Sequence, residues 1–141
     1  MSILDIAVGE SLPPLTRPPI SQEQLRRYAE ASGDHNPIHL DEEAARRVGL
    51  DGVIAHGMLS MAFLGQFITQ QVSAIPDAYL THLHVRFNGM VRPGDVLTCQ
   101  GTVQERTRTN DGREHLSIAC RIENQNGNAV TSGEAVVSLP Q

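Results

Sequence analysis

Asp34 and His39, at D-x-x-x-x-H spacing, straddle a proline in the run Ser32-Gly33-Asp34-His35-Asn36-Pro37-Ile38-His39. Proline has no N–H to give an α-helix, so the stretch reads as a loop. A short loop can aim a carboxylate and a ring nitrogen at one small space, where both can hold the same water. Such a pair suits the hydration of a carbon–carbon double bond conjugated to a carbonyl. One proton leaves the water and one reaches the α-carbon, and positioned groups of this kind contribute about 10²–10⁴-fold in rate. Asn36, pushed towards an extended backbone by Pro37, is placed to orient the water or Asp34. Downstream, His56-Gly57 precedes an apolar run. Gly57 therefore reads as a helix start whose N–H, backed by the helix dipole, can stabilise charge on a carbonyl oxygen. Taken singly, each residue has a plainer reading as turn aspartate, packed histidine or helix-entry glycine. The combination is what points to chemistry.

The elements that must position these residues follow from local signals. Leu12-Pro13-Pro14-Leu15-Thr16-Arg17-Pro18-Pro19 reads as an extended crossing. Ser21 and Gln24 match a capping box, with Ile20 and Leu25 as the hydrophobic staple, so a helix follows and Gly33 ends it. A second short helix is expected over about 42–48, capped by Asp41, with acids in its first turn and arginines in its last. From Met58 to Val72 apolar residues cover most of the circumference, which predicts a third helix enclosed by a sheet. The sheet comes from the second half of the chain. Tyr79–Phe87 alternates, with Leu83, Val85 and Phe87 on one face and His82, His84 and Arg86 on the other. Strands are expected over Val96–Arg106, Glu114–Glu123 and Ala129–Leu139, separated by the turn signals Asn110-Asp111-Gly112 and Asn126-Gly127. Antiparallel strands curled round one central helix describe an α+β hot-dog fold. A sheet of this kind is hard to cover with one short chain, so a homodimer with sheets joined edge to edge is expected.

Composition narrows the function. At 141 residues, 40% hydrophobic and 19% charged, the chain fits one globular domain over 1–141. No apolar run approaches the roughly 18–20 residues of a membrane span, and the N-terminal residues show no export signal. A cytoplasmic protein with reduced cysteines and no membrane association is expected. The formal charge of −5 argues against nucleic-acid binding. All eleven basic residues are arginine. Schiff-base chemistry, a pyridoxal cofactor and a Walker A loop each need a lysine, so all three are excluded. His82 and His84 stand two apart, but no cysteine or carboxylate lies at ligand spacing, and no metal is expected. No serine sits in a G-x-S-x-G setting, which leaves a nucleophilic mechanism without support.

The run Tyr28 to His39, then Gly49-Leu50, then Ile54-Ala55-His56-Gly57-Met58-Leu59, resembles the MaoC-like hydratases. These comprise the (R)-specific enoyl-CoA hydratases and related acyl dehydratases. The likeness spans essentially the whole chain, including Val85-Arg86-Phe87 and Val91-Arg92-Pro93-Gly94-Asp95, and its core, G-D-x-N-P-x-H followed by H-G-M, is highly specific. The resemblance implies a hot-dog homodimer that reversibly adds water to trans-2-enoyl thioesters, giving (R)-3-hydroxyacyl products. It implies Asp34 and His39 as the catalytic pair, Asn36 as the positioning residue between them, and Gly57 as the oxyanion-hole glycine. His56, Met58 and Arg86 are expected to contact substrate. No separate cofactor is expected, because coenzyme A or phosphopantetheine belongs to the substrate. Arginines such as Arg86 and Arg92 near the mouth would favour nucleotide phosphates, hence coenzyme A over an acidic carrier protein. Two other readings remain: a hot-dog thioesterase, and a non-catalytic hot-dog subunit of a heteromeric dehydratase.

Overall fold

The computed structural model describes residues 2–140. Four long or partial strands and one two-residue strand form an antiparallel sheet: β1 (Leu15–Thr16), β2 (Tyr79–Phe87), β3 (Thr98–Arg108), β4 (Glu114–Glu123) and β5 (Ala129–Leu139). Their spatial order is β1-β3-β4-β5-β2. The sheet curls round the helix α3 (Gly57–Val72), which is the hot-dog arrangement expected from the sequence. Two further helices, α1 (Gln22–Ser32) and α2 (Glu42–Arg47), flank the loop that carries Asp34.

Residue alternation explains the packing. Leu116, Ile118, Cys120 and Ile122 of β4, Cys99 and Val103 of β3, and Ala135, Val137 and Leu139 of β5 are buried together. They meet Leu59, Phe63, Leu64, Phe67, Ile68 and Val72 of α3 in one core. The helix crosses the sheet so closely that a side chain at Gly101 would force its neighbours to shift by a few tenths of an ångström. A Cβ there would stand 3.1 Å from the Phe67 ring and 3.0 Å from Ile118. Cys99 and Cys120 are free thiols in this core, and burial pushes both up to about 12. Thiols so shielded stay protonated and unreactive at neutral pH.

Two sequence expectations are corrected, for the central helix and for the start of β3, and a third, the extended crossing, gains a pairing partner. The central helix is not enclosed all round: Met58, Ala62, Gln66, Thr69 and Gln70 form an exposed stripe. The proline-rich crossing contains β1, with Leu15 opposite Cys99 and Thr16 opposite Thr98. The strand expected to start at Val96 starts at Thr98, because Leu97 gives its carbonyl to Arg17 and Val96 its N–H to the Gln125 side chain. The turn signals behave as read, with Gly112 and Gly127 at φ +82° and +79°. Among the described residues no helix is long and apolar enough to cross a membrane.

Candidate active site

The loop carrying Asp34 is fixed at both ends. Ser21 caps α1 by accepting the Gln24 N–H, as the capping box predicts, and Gly33 ends the helix in the left-handed conformation at φ +80°. Asp34 Oδ1 accepts the N–H of Asn36 at 3.2 Å, and Asn36 Oδ1 accepts that of Ile38 at 3.2 Å. These two bonds wind Pro37–His39 into a single 3₁₀ turn, where the sequence suggests only loop. Asn36 therefore acts on the loop through its oxygen, capping the turn that carries His39.

His39 is held by backbone. Ile54 donates its N–H to the Ile38 carbonyl at 3.1 Å, and its own carbonyl lies 2.7 Å from His39 Nδ1. A carbonyl only accepts, so Nδ1 carries the proton and the neutral ring presents an unprotonated Nε2. That nitrogen is 3.9 Å from Asp34 Oδ2. The separation is too long for a direct hydrogen bond, and one water oxygen can sit within reach of both atoms. The two partners differ in environment: the His39 side chain is 10% exposed and that of Asp34 51%.

His39 and Gly57 line the same cavity, about 390 Å³ in volume. Its walls are largely apolar, from Ile54, Ala55, Phe87, Met90 and Val91, with Ser60, Asn88 and Thr131 as polar interruptions. Gly57 is the first residue of α3, the preceding His56 supplies no side-chain cap, and the Leu59 N–H turns back to the His56 carbonyl at 3.1 Å, which leaves the Gly57 and Met58 amides as the first-turn donors for an oxyanion. The Phe87 ring lies over Gly57, 3.3 Å from where a Cβ would be. A groove of about 360 Å³ on the far side of β3 and β4 is lined by Gln100, Thr102 and Arg121 but holds no histidine or carboxylate.

The three expected substrate contacts fall elsewhere. His56 is 1% exposed and packs behind His39 instead of lining the cavity. Met58 points to solvent from the exposed stripe of α3. Arg86 lies in a groove on the outer face of the sheet with His84, Gln104 and Glu134, because strand alternation turns it away from the core. Sequence reasoning missed Ile54, whose part is played by a carbonyl and so leaves no side-chain signal. It also missed Phe87 as a cavity wall.

Asp34, His39 and His56 present ligand atoms within 4.8 Å of one another. His39 Nδ1 and His56 Nε2 are engaged with the carbonyls of Ile54 and Asp34, which leaves His39 Nε2 and His56 Nδ1 as the two unengaged ring nitrogens of the group. Burial lowers the pKa of His56 from its usual 6.5. The unfolded chain therefore takes a proton near pH 6.5 that the folded state refuses. Stability is full above that pH and falls as pH drops from about 6.5 towards the folded pKa. The melting temperature is expected to fall between pH 7.5 and 5.5, and by less in His56→Gln.

Known proteins resemble this chain in sequence and in fold. The model of the MaoC like domain matches residues 6–124. The chain belongs to the MaoC-like family. It is 32% identical over 121 residues to the mitochondrial 3-hydroxyacyl-[acyl-carrier-protein] dehydratase of Arabidopsis thaliana, covering 85% of this chain and 70% of that one. The (R)-specific enoyl-CoA hydratase of Aeromonas caviae is 31% identical over 117 residues, covering 83% and 84%. The solved structure of the A. caviae (R)-hydratase involved in PHA biosynthesis superimposes with a TM-score of 0.82 at 27% identity, covering 96% of this chain and 98% of that one. MaoC-like relatives of this chain thus include both hydratases and dehydratases, acting on both kinds of thioester that their names specify.

Proposed function

We propose that this MaoC-like protein is a hydro-lyase that reversibly converts trans-2-enoyl thioesters to (R)-3-hydroxyacyl thioesters, with acyl-CoA favoured over acyl-carrier protein. The observation that carries the reading is the placement of His39 Nε2, the ring nitrogen not bonded to Ile54, 3.9 Å from the Asp34 carboxylate, on a side chain that lines the same cavity as Gly57. The enoyl thioester lies in the apolar cavity with its carbonyl oxygen at the Gly57 amide. Water held between Asp34 and His39 adds its oxygen to C3. The dyad takes one water proton and returns one to C2, so protons balance and no electrons are exchanged. Negative charge rises on the thioester oxygen as C3–O forms, and a preorganised amide there contributes on the order of 3 kcal/mol. The reaction needs no redox or metal cofactor, and coenzyme A enters as part of the substrate. The protein's net charge of −5 disfavours an acidic carrier protein.

The active unit in this reading is a homodimer. Among the described residues β2 is the long strand at the end of the sheet, paired on one side by β5 and with no strand on its other edge. An open edge of that length is covered in a stable protein, and the half-exposed Tyr79 and Phe87 at its two ends suit a second copy. Light scattering should return twice the chain mass.

The test is one assay with two readouts. Crotonyl-CoA should lose its enoyl-thioester absorbance while a thiol-trapping dye stays silent, and the buried Cys99 and Cys120 give no background. Dye signal without hydration would identify a thioesterase. Inertness relieved by a second hot-dog chain would identify a subunit of a heteromer.

A further inference from the structure

His56 makes two contacts that the reaction as described does not use. Its Nε2 lies 3.1 Å from the backbone carbonyl of Asp34. Its ring stacks on that of His39, with centroids 3.9 Å apart and planes inclined by 27°. The edge of the same ring meets Tyr28 of α1, 4.8 Å between centroids at 62°. One side chain thus touches both members of the dyad and the helix that leads into their loop. We infer that His56 is a positioning residue: a neutral, Nε2-protonated clamp that fixes the Asp34 backbone relative to the His39 ring. The inference rests on the hydratase reading for its kinetic consequence, though not for its structural one.

The tautomer follows from the partners. The Asp34 carbonyl only accepts, so Nε2 must carry the proton. Nδ1 is buried without a hydrogen-bond partner among the described residues. A second proton there would create a buried donor with nothing to bind, which is unfavourable even before its charge is counted. The titratable groups around the ring are Asp34 and His35 on the loop, His39 on the 3₁₀ turn and Tyr28 on α1. Burial is the largest influence and disfavours a charged ring; the Asp34 carbonyl and carboxylate oppose it, His39 and His35 add to it, and the net direction is towards the neutral ring. Neutrality matters because His39 becomes cationic whenever it takes a proton. A charged neighbour stacked at 3.9 Å would oppose that step. A neutral ring offers a flat face that does not.

Three measurements decide this. Nitrogen-15 NMR of the wild-type histidine rings should show His56 protonated on Nε2 and bare on Nδ1 from pH 8 to 6. His56→Phe, which keeps a flat ring but loses the donor, should lower kcat for crotonyl-CoA by about 10²-fold with KM within about twofold, since the dyad is misplaced and the cavity is not. His56→Gln, whose amide can still donate to Asp34, should recover most of that loss. A kcat in His56→Phe within about threefold of wild type, or a Gln variant no better than Phe, would overturn the clamp. So would a His56 that titrates in that pH range. Should the phenylalanine variant not fold, the glutamine variant and the ring spectrum still decide. If the wild type hydrates no enoyl thioester, the functional reading falls while the spectrum continues to judge the clamp.

Discussion

His39→Asn is expected to lower kcat for hydration of crotonyl-CoA by about 10³-fold while leaving the fold in place. Asparagine is the informative replacement because its amide can take over the bond that Nδ1 makes to the Ile54 carbonyl, 2.7 Å away. Alanine would leave that part-buried carbonyl without its partner and cost about 1 kcal/mol of stability, mixing folding with catalysis. Asparagine has nothing in place of the unprotonated Nε2, so only the base is removed. Asp34→Asn is the matching change: one oxygen remains to accept the Asn36 N–H, and the charge beside His39 is gone. A loss of about 10²–10³-fold is expected. The double variant should fall no further than the worse single one, because two groups that share one water fail as a unit. Initial rates of absorbance loss, with circular dichroism to check folding, measure all three. Either single variant retaining full activity would remove the dyad from the mechanism.

What the sequence revealed and what it hid divide along one physical line. Features written in side-chain type were readable. Ser21 and Gln24 announce the start of α1, Asn126-Gly127 announces a hairpin, and the G-D-x-N-P-x-H run places Asp34 and His39 on one loop. Features written in backbone were not. The Ile54 carbonyl sets the His39 tautomer, yet any residue there has a carbonyl. The 3₁₀ turn over Pro37–His39 depends on Asn36 Oδ1 turning back to Ile38, one of several bonds an asparagine can make. Direction was legible only as alternation: the sequence puts Arg86 and Phe87 on opposite faces of β2 without saying which face meets the site. Arg86 and Phe87 are neighbours in sequence, but strand geometry sends one to the outer face and the other onto Gly57. Likewise Met58 follows Gly57 directly and faces solvent, since consecutive helical residues point about 100° apart.

The placement of His39 shows how the fold converts a loop into a site. Glu42 at the head of α2 accepts the Val53 N–H at 3.1 Å, Ile54 bonds the 3₁₀ turn, and Ala55 donates to the Val91 carbonyl at 2.7 Å. Three successive amides of one extended segment are thus tied to three different parts of the chain. The same segment runs directly into Gly57. The distance from the imidazole to the start of α3 is therefore set by a few residues of fixed backbone, which is what a reaction across a single enoyl group requires.

Gly57→Pro is expected to lower kcat by about 10²–10³-fold with α3 intact. Proline is unusually well suited to this position. Gly57 is the first helical residue, where proline is favoured because its N–H has no intrahelical partner. His56 already has φ −60° and ψ 132°, the extended conformation that a residue before proline adopts. The helix start is kept and the one amide assigned to the thioester oxygen is replaced by a ring methylene. A side chain also brings a Cβ to 3.3 Å from the Phe87 ring, so the ring must shift by a few tenths of an ångström. Gly57→Ala carries that same Cβ and retains the N–H, which isolates the steric part; its loss of rate should be much the smaller. KM should change less than kcat in the proline variant, because charge builds on the oxygen only as water adds. Proline and alanine variants with equal rates would transfer the oxyanion role away from Gly57, leaving the Met58 amide of the same turn as the next donor to remove.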